Sequence, residues 1–245
     1  MGFRVLTLNL WNISEPLAVR YRALEVGLKQ LSPDIVCLQE VYRDPSSGRS
    51  QAALVADMCN LAHTVEHNGL AILSANPAVR SDSVALPEFP GDFPREILLV
   101  EFEIEGRPLL VANTHLAYPP ELVEERRQQV VALLAAIERF YSEMPAKILC
   151  GDFNDVPDSP AVRAVLDSKQ EFRDAFAECH PGESGFTYLP KNRYVDPSWT
   201  LVQRIDYIFA GRDVVPNDCS VVFDGSNGLD LVSDHYGVFG NLAFR

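Results

Sequence analysis

The sequence predicts one α/β domain, covering residues 1–245, in which helices pack on mixed β-sheets. Strand-like apolar runs outnumber amphipathic helical patterns, and several neighbouring runs are joined by short turns, as in β-hairpins. With 47% hydrophobic residues, the chain can bury a full core. Polar residues also end strands near both termini, and they can share a pocket only within one continuous fold.

The first half of the chain begins with an apolar strand, Phe3–Leu8, and an amphipathic helix near Leu17–Leu31. The sequence Ser32-Pro33-Asp34 ends that helix. The other elements predicted in this half are a strand at Ile35–Leu38, a helix near Ser50–Leu61, and strands near Gly69–Leu73 and Val79–Leu86.

The second half opens with a predicted hairpin formed by Glu96–Ile104 and Pro108–Asn113. The longest helix is predicted at about Pro120–Met144, where apolar residues recur on one face. Ser159-Pro160 opens another helix, because serine caps helices and proline favours the first helical position. The remaining predicted strands are Lys147–Cys150, Phe186–Tyr188, Arg204–Ala210, Val214–Phe223 and Tyr236–Ala243.

Six short polar segments, five of which follow or interrupt predicted strands, point to a common site. Strand ends on one rim of a fold bring distant residues into one pocket. The side chains offer oxygen and nitrogen and no thiol, a set that suits Mg²⁺ or Mn²⁺. The pattern therefore indicates a metal-dependent phosphoesterase. The residues concerned are Asn9, Glu40, His115, Asp152, Asn154, Asp206, Asp234 and His235.

The order and the sequences of these segments resemble the motifs of the endonuclease/exonuclease/phosphatase superfamily, and the resemblance covers almost the whole chain. Trp11 and Gln203 depart from the pattern of its AP endonucleases, whereas Leu8–Asn12 is faintly similar to sphingomyelinases; no branch is assigned. The resemblance implies a DNase I-like fold, a four-layer α/β/β/α sandwich of two packed mixed sheets. Further matching segments are Gly69–Ser74, Arg126 with Gln129, and Phe172–Ala175 ahead of Gly185–Tyr188.

The resemblance also implies roles for the site residues. Glu40 would hold the metal ion, Asn9 would support the ion or bond a phosphate oxygen, and Asp234 would join the metal shell directly or through water. Asp152 would orient or deprotonate the attacking water and Asn154 would donate to the phosphoryl group, unless both ligate a second ion. Taken alone, each residue is as readily an ordinary polar residue of a turn.

The two histidines of the segments are expected to act with the phosphate. His235 should pair with Asp206, because a carboxylate that accepts from one imidazole nitrogen fixes the tautomer and favours the imidazolium form. His115 is expected to bind phosphate or to protonate the leaving oxygen.

Substrate contacts are predicted for Arg95, Arg193 and Trp199. The alternative for Arg95, which directly precedes a strand, is a surface salt bridge. Arg193 and Trp199 lie in Leu189–Gln203, a long segment without helix or strand periodicity. Such segments are usually functional or disordered, so this one is expected either to select the substrate or to be a mobile surface loop.

Three functions of different classes follow from these residues. The leading hypothesis is a Mg²⁺- or Mn²⁺-dependent phosphodiesterase or phosphatase that acts on a small-molecule or lipid phosphoester. The first alternative is a nuclease on single-stranded or terminal nucleic acid, where aromatic stacking needs little positive charge. The second is a non-catalytic binding module on the same scaffold, which is disfavoured because all eight site residues are present.

The cysteines and the start of the chain predict a cytoplasmic protein. Five cysteines, an odd number without Cys-x-x-Cys spacing, suit a reducing compartment, and Cys37 and Cys150 are expected to be buried in strands. No apolar stretch reaches the roughly 18 residues of a transmembrane helix, and a strand that begins at Phe3 leaves no room for a signal peptide. A protein whose leader had been removed would have the same sequence.

The net charge predicts weak binding to duplex DNA. Asp and Glu total 34 and Lys and Arg 21, so the formal charge is −13, whereas non-specific DNA affinity comes from cationic side chains that contact phosphates. In a gel-shift assay at physiological salt we expect a Kd at or beyond roughly 10⁻⁴ M. Tight binding with a steep salt dependence would instead indicate a local basic groove.

Overall fold

The computed structural model describes residues 2–245, which form twelve strands and five helices. In chain order these are β1 (Gly2–Asn9), α1 (Leu17–Leu31), β2 (Ile35–Gln39), α2 (Gln51–Cys59), β3 (His63–His67), β4 (Leu70–Ser74), β5 (Ala78–Ala85), β6 (Glu96–Ile104), β7 (Arg107–His115), α3 (Val123–Tyr141), β8 (Ala146–Asp152), α4 (Pro160–Leu166), β9 (Arg173–Asp174), α5 (Ala175–Cys179), β10 (Asp206–Ala210), β11 (Val214–Val222) and β12 (Gly237–Phe244).

The strands form two mixed sheets of six strands each. The first has the order β11-β12-β1-β2-β4-β3 and the second the order β5-β6-β7-β8-β10-β9. One apolar core lies between the sheets, and two further cores lie under the helices, beneath α1 and α2 on the first sheet and beneath α3 and α4 on the second. The predicted four-layer sandwich is therefore confirmed.

The central strands are buried on both faces, which explains their nearly continuous apolar sequence. In β1, Phe3 and Val5 pack between the sheets, while Leu6 and Leu8 pack in the core under the first pair of helices. Successive strand side chains point to opposite faces, so a strand in the middle of four layers needs apolar residues at every position.

Most predicted elements have the expected bounds, and helix α1 matches Leu17–Leu31. The predicted strand Phe186–Tyr188 is wrong, because only a single bridge joins Tyr188 to Gln203 there. Strand β3 was not predicted. Its polar sequence His63–His67 lies at the edge of the first sheet, where only one neighbouring strand is needed.

Strand direction brings the functional segments to one rim. Strands β1 and β2 run parallel, as do β7 and β8, whereas β12 and β10 run antiparallel to their neighbours. Residues at the ends of the first four strands therefore lie beside residues at the starts of the other two. In the second sheet, His115 and Asp206 both pair in register with Asp152.

A buried amide pair joins the two sheets just below this rim. The Nε2 of Gln39 donates to Asn113 Oδ1 at 2.7 Å and to Thr7 Oγ1 at 3.1 Å. In turn, Asn113 Nδ2 donates to the carbonyls of Leu38 and Ala71 on the first sheet. These bonds fix the separation of the strand ends that carry the site.

All five cysteines carry free thiols, and Cys37 and Cys150 are fully buried between the sheets, as predicted. Across residues 2–245, none of the helices combines the length and the apolar character that crossing a membrane requires.

Gly151 occupies a position at which the backbone leaves no room for a side chain. Its φ is +144°, and a Cβ there would lie 2.0 Å from the carbonyl oxygen of Thr114 on the neighbouring strand. We expect Gly151→Ala to lower the free energy of unfolding in urea by about 1–3 kcal/mol, as overpacking does. Gly48→Ala is the control, because Gly48 also has positive φ (+69°) but open space around it. Equal losses in the two variants would contradict the steric explanation.

Candidate active site

The rim brings the eight predicted polar residues together in one cleft. Six of them line a cavity of about 470 Å³, and Asn9 and Asp206 hydrogen-bond to members of that lining. The six are Glu40, His115, Asp152, Asn154, Asp234 and His235.

Asn9 joins two carboxylates that come from different sheets. Its Nδ2 donates to Glu40 Oε1 at 3.2 Å and to Asp152 Oδ2 at 3.0 Å. Its Oδ1 accepts from the backbone N–H of Trp11 at 2.9 Å. The amide is almost completely buried, so in this arrangement Asn9 positions the two carboxylates.

His235 lies between two carboxylates. Its Nδ1 is 2.9 Å from Asp206 Oδ2, and its Nε2 is 3.7 Å from Asp152 Oδ2. Burial lowers the pKa of His235, but the charges of Asp206 and Asp152 outweigh burial and hold this pKa well above its usual value. The expected pair of His235 with Asp206 is thus formed, and its imidazole is positively charged near neutral pH.

His115 has the opposite protonation state. Its Nε2 lies 3.4 Å from Asp152 Oδ2, yet burial lowers the pKa of His115 to about 4 despite that neighbour. Burial also raises the pKa of Asp152. One neutral and one charged imidazole therefore face the same carboxylate, and environments that separate titrations in this way are typical of acid–base sites.

The loops that present these residues are held in strained backbone conformations. Trp11, Asn12, Glu40 and Asn154 all have φ between +50° and +54°. For residues other than glycine such conformations are uncommon and cost of the order of 1 kcal/mol or more each. These four residues occupy three loops of one rim, which fits a site in which the direction of the side chains matters more than backbone stability.

The donor set fits a hard divalent cation. Oxygen and nitrogen atoms of Asp152, Asp206 and His235 lie within 4.8 Å of one another, and the buried Oδ1 of Asp206 has no hydrogen-bond partner in the part of the chain that is described. A protonated imidazole offers no lone pair, however, so Glu40 and Asp234, which line the cleft outside this cluster, are the better ligands. Burial raises the pKa of Asp234 to about 6, against the effect of His235, and a bound cation would oppose that shift.

The three predicted substrate residues lie in different surroundings. The Nε and Nη2 of Arg95 donate to Asp92, at 2.9 and 2.7 Å, and Arg95 lines a second cavity beside the rim. Trp199 packs edge-on against Tyr188, with ring centroids 5.5 Å apart, and lines the cleft. Arg193 lies on the surface against Tyr194 and Asp230, and it lines neither cavity.

Two cavities of about 470 Å³ each therefore flank the polar centre. We call the one that includes Phe93 and Arg95 the first cavity, and the one that includes Trp199 and Asp152 the second cavity. Both are lined by Glu40, His115 and Tyr118, so a ligand centred on the rim has room on either side.

A buried arginine that sequence reasoning missed holds the loops on the first sheet. Arg20 is fully buried, and its Nε donates to the carbonyl of Val232 at 2.8 Å. Its other nitrogens donate to the carbonyls of Ser14 and Leu10, and its guanidinium lies 4.9 Å from the ring centroid of Trp11. The sequence did contain a sign that Arg20 is buried, because it lies four and eight residues before Leu24 and Leu28, on the buried face of α1.

The chain is similar in sequence to a known protein family and to several curated proteins. A model of the Endonuclease/Exonuclease/phosphatase family matches residues 6–235. Protein angel homolog 2 of Danio rerio is 31% identical over 168 residues, which are 59% of this chain and 29% of that protein. Human protein angel homolog 1 is 28% identical over 208 residues, 74% of this chain and 30% of that protein. The chain thus spans less than a third of the length of these curated relatives.

Solved structures share the fold. An endonuclease/exonuclease/phosphatase from Bacteroides vulgatus superposes with a TM-score of 0.77 at 19% identity, covering 100% of both chains. TDP2 of Danio rerio, solved with a single-strand DNA product, gives 0.81 at 18% identity, covering 99% of both chains. The catalytic domain of human Nocturnin, with bound sulfate, gives 0.77 at 18% identity and covers 100% of this chain and 94% of that one.

The buried contact of His235 with Asp206 predicts strong energetic coupling. We expect His235→Ala and Asp206→Asn each to destabilise the fold, and the double variant to lose about 0.5–3 kcal/mol less than the sum, as contacting residues do. Urea denaturation of the four proteins measures the coupling. The exposed pair Arg163–Asp158, at 3.1 Å, is the control and should couple by under about 1 kcal/mol. Additive losses at His235 and Asp206 would contradict the contact.

Proposed function

The chain belongs to the Endonuclease/Exonuclease/phosphatase family, whose members are metal-dependent phosphoester hydrolases, and we propose that its own substrate is a phosphodiester. The observation that carries the proposal is the pair of cavities that share Glu40, His115 and Tyr118. A phosphomonoester has one organic group beside its phosphate, whereas a diester has two. Room on both sides of the polar centre favours the diester.

The cation would be held by Glu40 and Asp234, with Asn9 fixing the direction of Glu40. Such an ion would neutralise charge on the phosphoryl oxygens, for which Mg²⁺ or Mn²⁺ is the expected choice. Mg²⁺ itself stays a prediction.

The remaining residues divide the work of binding and proton transfer. Asp152 is the proposed base for the attacking water, because burial makes it a stronger base than an exposed carboxylate. The imidazolium of His235 donates from Nε2 to a phosphoryl oxygen. His115 stays neutral, so we assign it hydrogen bonding to phosphate rather than proton donation to the leaving oxygen.

Asn154 retains one donor for the phosphoryl group. Its Nδ2 already donates to the carbonyl of Leu116 at 3.1 Å, but an amide NH₂ carries a second hydrogen. The backbone N–H of Asn154 also bonds Asp152 Oδ1 at 2.8 Å. Asn154 thus orients the proposed base while it contacts the substrate.

Two substrate classes remain for the diester. The small-molecule or lipid phosphoester predicted from the sequence stays a prediction, as does the cytoplasmic location. The second candidate, single-stranded or terminal nucleic acid, is favoured by aromatic side chains in both cavities, Phe93 and Tyr118 in one and Tyr188 and Trp199 in the other. The product bound to Danio rerio TDP2 is of that class. The formal charge of −13 continues to disfavour duplex DNA.

Glu40→Gln tests the metal assignment. It should abolish hydrolysis of bis-p-nitrophenyl phosphate at low millimolar Mg²⁺ and weaken Mg²⁺ binding by calorimetry, because a neutral amide attracts the cation less than a carboxylate does. Circular dichroism should show an unchanged fold. Glu103→Gln, on an exposed position of β6, is the matched control and should change neither quantity. Unchanged Mg²⁺ affinity in Glu40→Gln would rule out Glu40 as principal ligand.

A further inference from the structure

A buried asparagine holds the loop that carries Asp234. Asn192 lies in the segment Leu189–Gln203 and is only 1% exposed. Its Nδ2 donates to the backbone carbonyls of Ser233 and Asp234, both at 2.9 Å, and its Oδ1 accepts from the backbone N–H of Tyr194 at 3.0 Å. Both hydrogens of the amide are therefore used, and both reach the loop that presents a proposed metal ligand.

These two bonds fix the direction of the Asp234 side chain. The carbonyl of Ser233 belongs to the peptide plane that precedes the Cα of Asp234, and the carbonyl of Asp234 belongs to the plane that follows it. Because a residue has only two soft backbone dihedrals, holding both planes sets the direction of the Cα–Cβ bond between them. Ser233 Oγ also donates to Asp234 Oδ1 at 3.1 Å, which restricts the carboxylate itself.

Stacked side chains connect Asn192 with the loop that follows β1. The ring of Tyr194 lies 5.6 Å from that of Trp11, measured between centroids, and the guanidinium of Arg20 lies 4.9 Å from the centroid of Trp11. Arg20 also donates to the carbonyl of Val232. Three consecutive carbonyls of the loop, those of residues 232–234, therefore accept hydrogen bonds from side chains, which specifies one conformation of the loop.

The first half of the segment lies outside both cavities. Residues 189–195 line neither the first nor the second cavity, whereas Trp199 and Leu201, in the second half, line the second cavity. Val195 is buried, so the chain beside Asn192 is packed into the protein. Any effect of Asn192 on the reaction therefore has to pass through the loop that it holds.

We propose that Asn192 is a positioning residue, which sets the direction of the Asp234 carboxylate and, through it, the affinity of the site for its cation. The inference rests on the proposed function, in which Glu40 and Asp234 hold that cation. Asn192 touches neither the cation nor the substrate in this role. The segment Leu189–Gln203 then has two tasks, because its first half orients a metal ligand and its second half lines the cleft.

Asn192→Leu tests this role, because it removes both donors without adding charge and introduces a side chain of similar size. Calorimetry should show the Mg²⁺ affinity lowered by roughly 10- to 100-fold, as when an outer partner of a metal ligand is removed. In an Asp234→Asn background the same substitution should lower it by under about twofold more, because both changes act through one ligand. Asn192→Ala leaves room for a water at the two carbonyls, so it should lower the affinity less.

Two variants control for the loss of an amide and for the loss of stability. The Nδ2 of Asn76 donates to the carbonyl of Glu103 at 2.7 Å, beyond the end of β4 that lies away from the rim, so Asn76→Leu removes a comparable bond far from the site. Val165→Ala shortens a side chain in the core beneath α3 and α4, and it should lower stability alone. Both variants should keep the wild-type Mg²⁺ affinity.

Hydrogen exchange without metal reports on the loop directly. The backbone N–H groups of His235 and Tyr236 are both hydrogen-bonded, at 3.2 and 2.8 Å. In Asn192→Leu they should exchange faster than in the wild type, because the carbonyls that precede them are no longer held. In Asn76→Leu and Val165→Ala their exchange relative to the rest of the chain should stay as in the wild type.

The outcomes separate this inference from the proposed function. If Asp234→Asn left the Mg²⁺ affinity unchanged, the ligand assignment of the proposed function would fail, and Asn192 would set no metal affinity either. If Asp234→Asn lowered the affinity and Asn192→Leu did not, the ligand assignment would stand and the role of Asn192 would be overturned. Fully additive losses in the double variant, or wild-type exchange in Asn192→Leu, would overturn that role as well.

Discussion

The structure depends on holding four carboxylates close together at one rim. Glu40, Asp152, Asp206 and Asp234 come from both sheets, and Asp152 and Asp206 are almost fully buried, so each would raise the cost of ionising the others. The chain offsets this repulsion with an imidazolium, His235, between Asp206 and Asp152 and with the amide of Asn9 between Asp152 and Glu40. A cation at Glu40 and Asp234 would supply the remaining positive charge.

Buried arginines organise the loops around this cluster without neutralising it. All three side-chain hydrogen bonds of Arg20 go to backbone carbonyls, and none goes to a carboxylate. Arg126 bonds Asp155 at 3.0 Å and also the carbonyls of Ala117 and Pro119, which joins the loop after β7 to the loop after β8. Fully satisfied networks of this kind specify one loop conformation. The strained backbone at Trp11 and Asn154, in the loops that these two arginines hold, persists because the networks over-determine it.

The four-layer fold and the position of the site could be predicted from the sequence because both depend on local sequence patterns. Strands buried on two faces are almost continuously apolar, and α1 repeats its leucines at helical spacing, so their bounds could be predicted. Edge strand β3 was not predicted because its sequence is polar. Phe186–Tyr188 was wrongly predicted to be a strand because an apolar and aromatic run can equally form a loop. Three features could not be predicted because they depend on contacts across more than 100 positions in the chain, which no local pattern encodes. They are the hydrogen bonds of Asn9 to two carboxylates, the opposite protonation states of the two histidines, and the two cavities.

The amide bridge between Gln39 and Asn113 implies that activity requires the two sheets to stay packed against each other. The first sheet contributes Asn9 and Glu40 to the rim and the second contributes His115 and Asp152, so neither half-sandwich holds a complete centre. Sliding of one layer over the other by about one hydrogen-bond length would separate the two halves long before either sheet lost its own ladder. Partial opening of the interface between the two sheets costs less free energy than global unfolding. Such an opening would abolish activity while leaving the secondary structure intact.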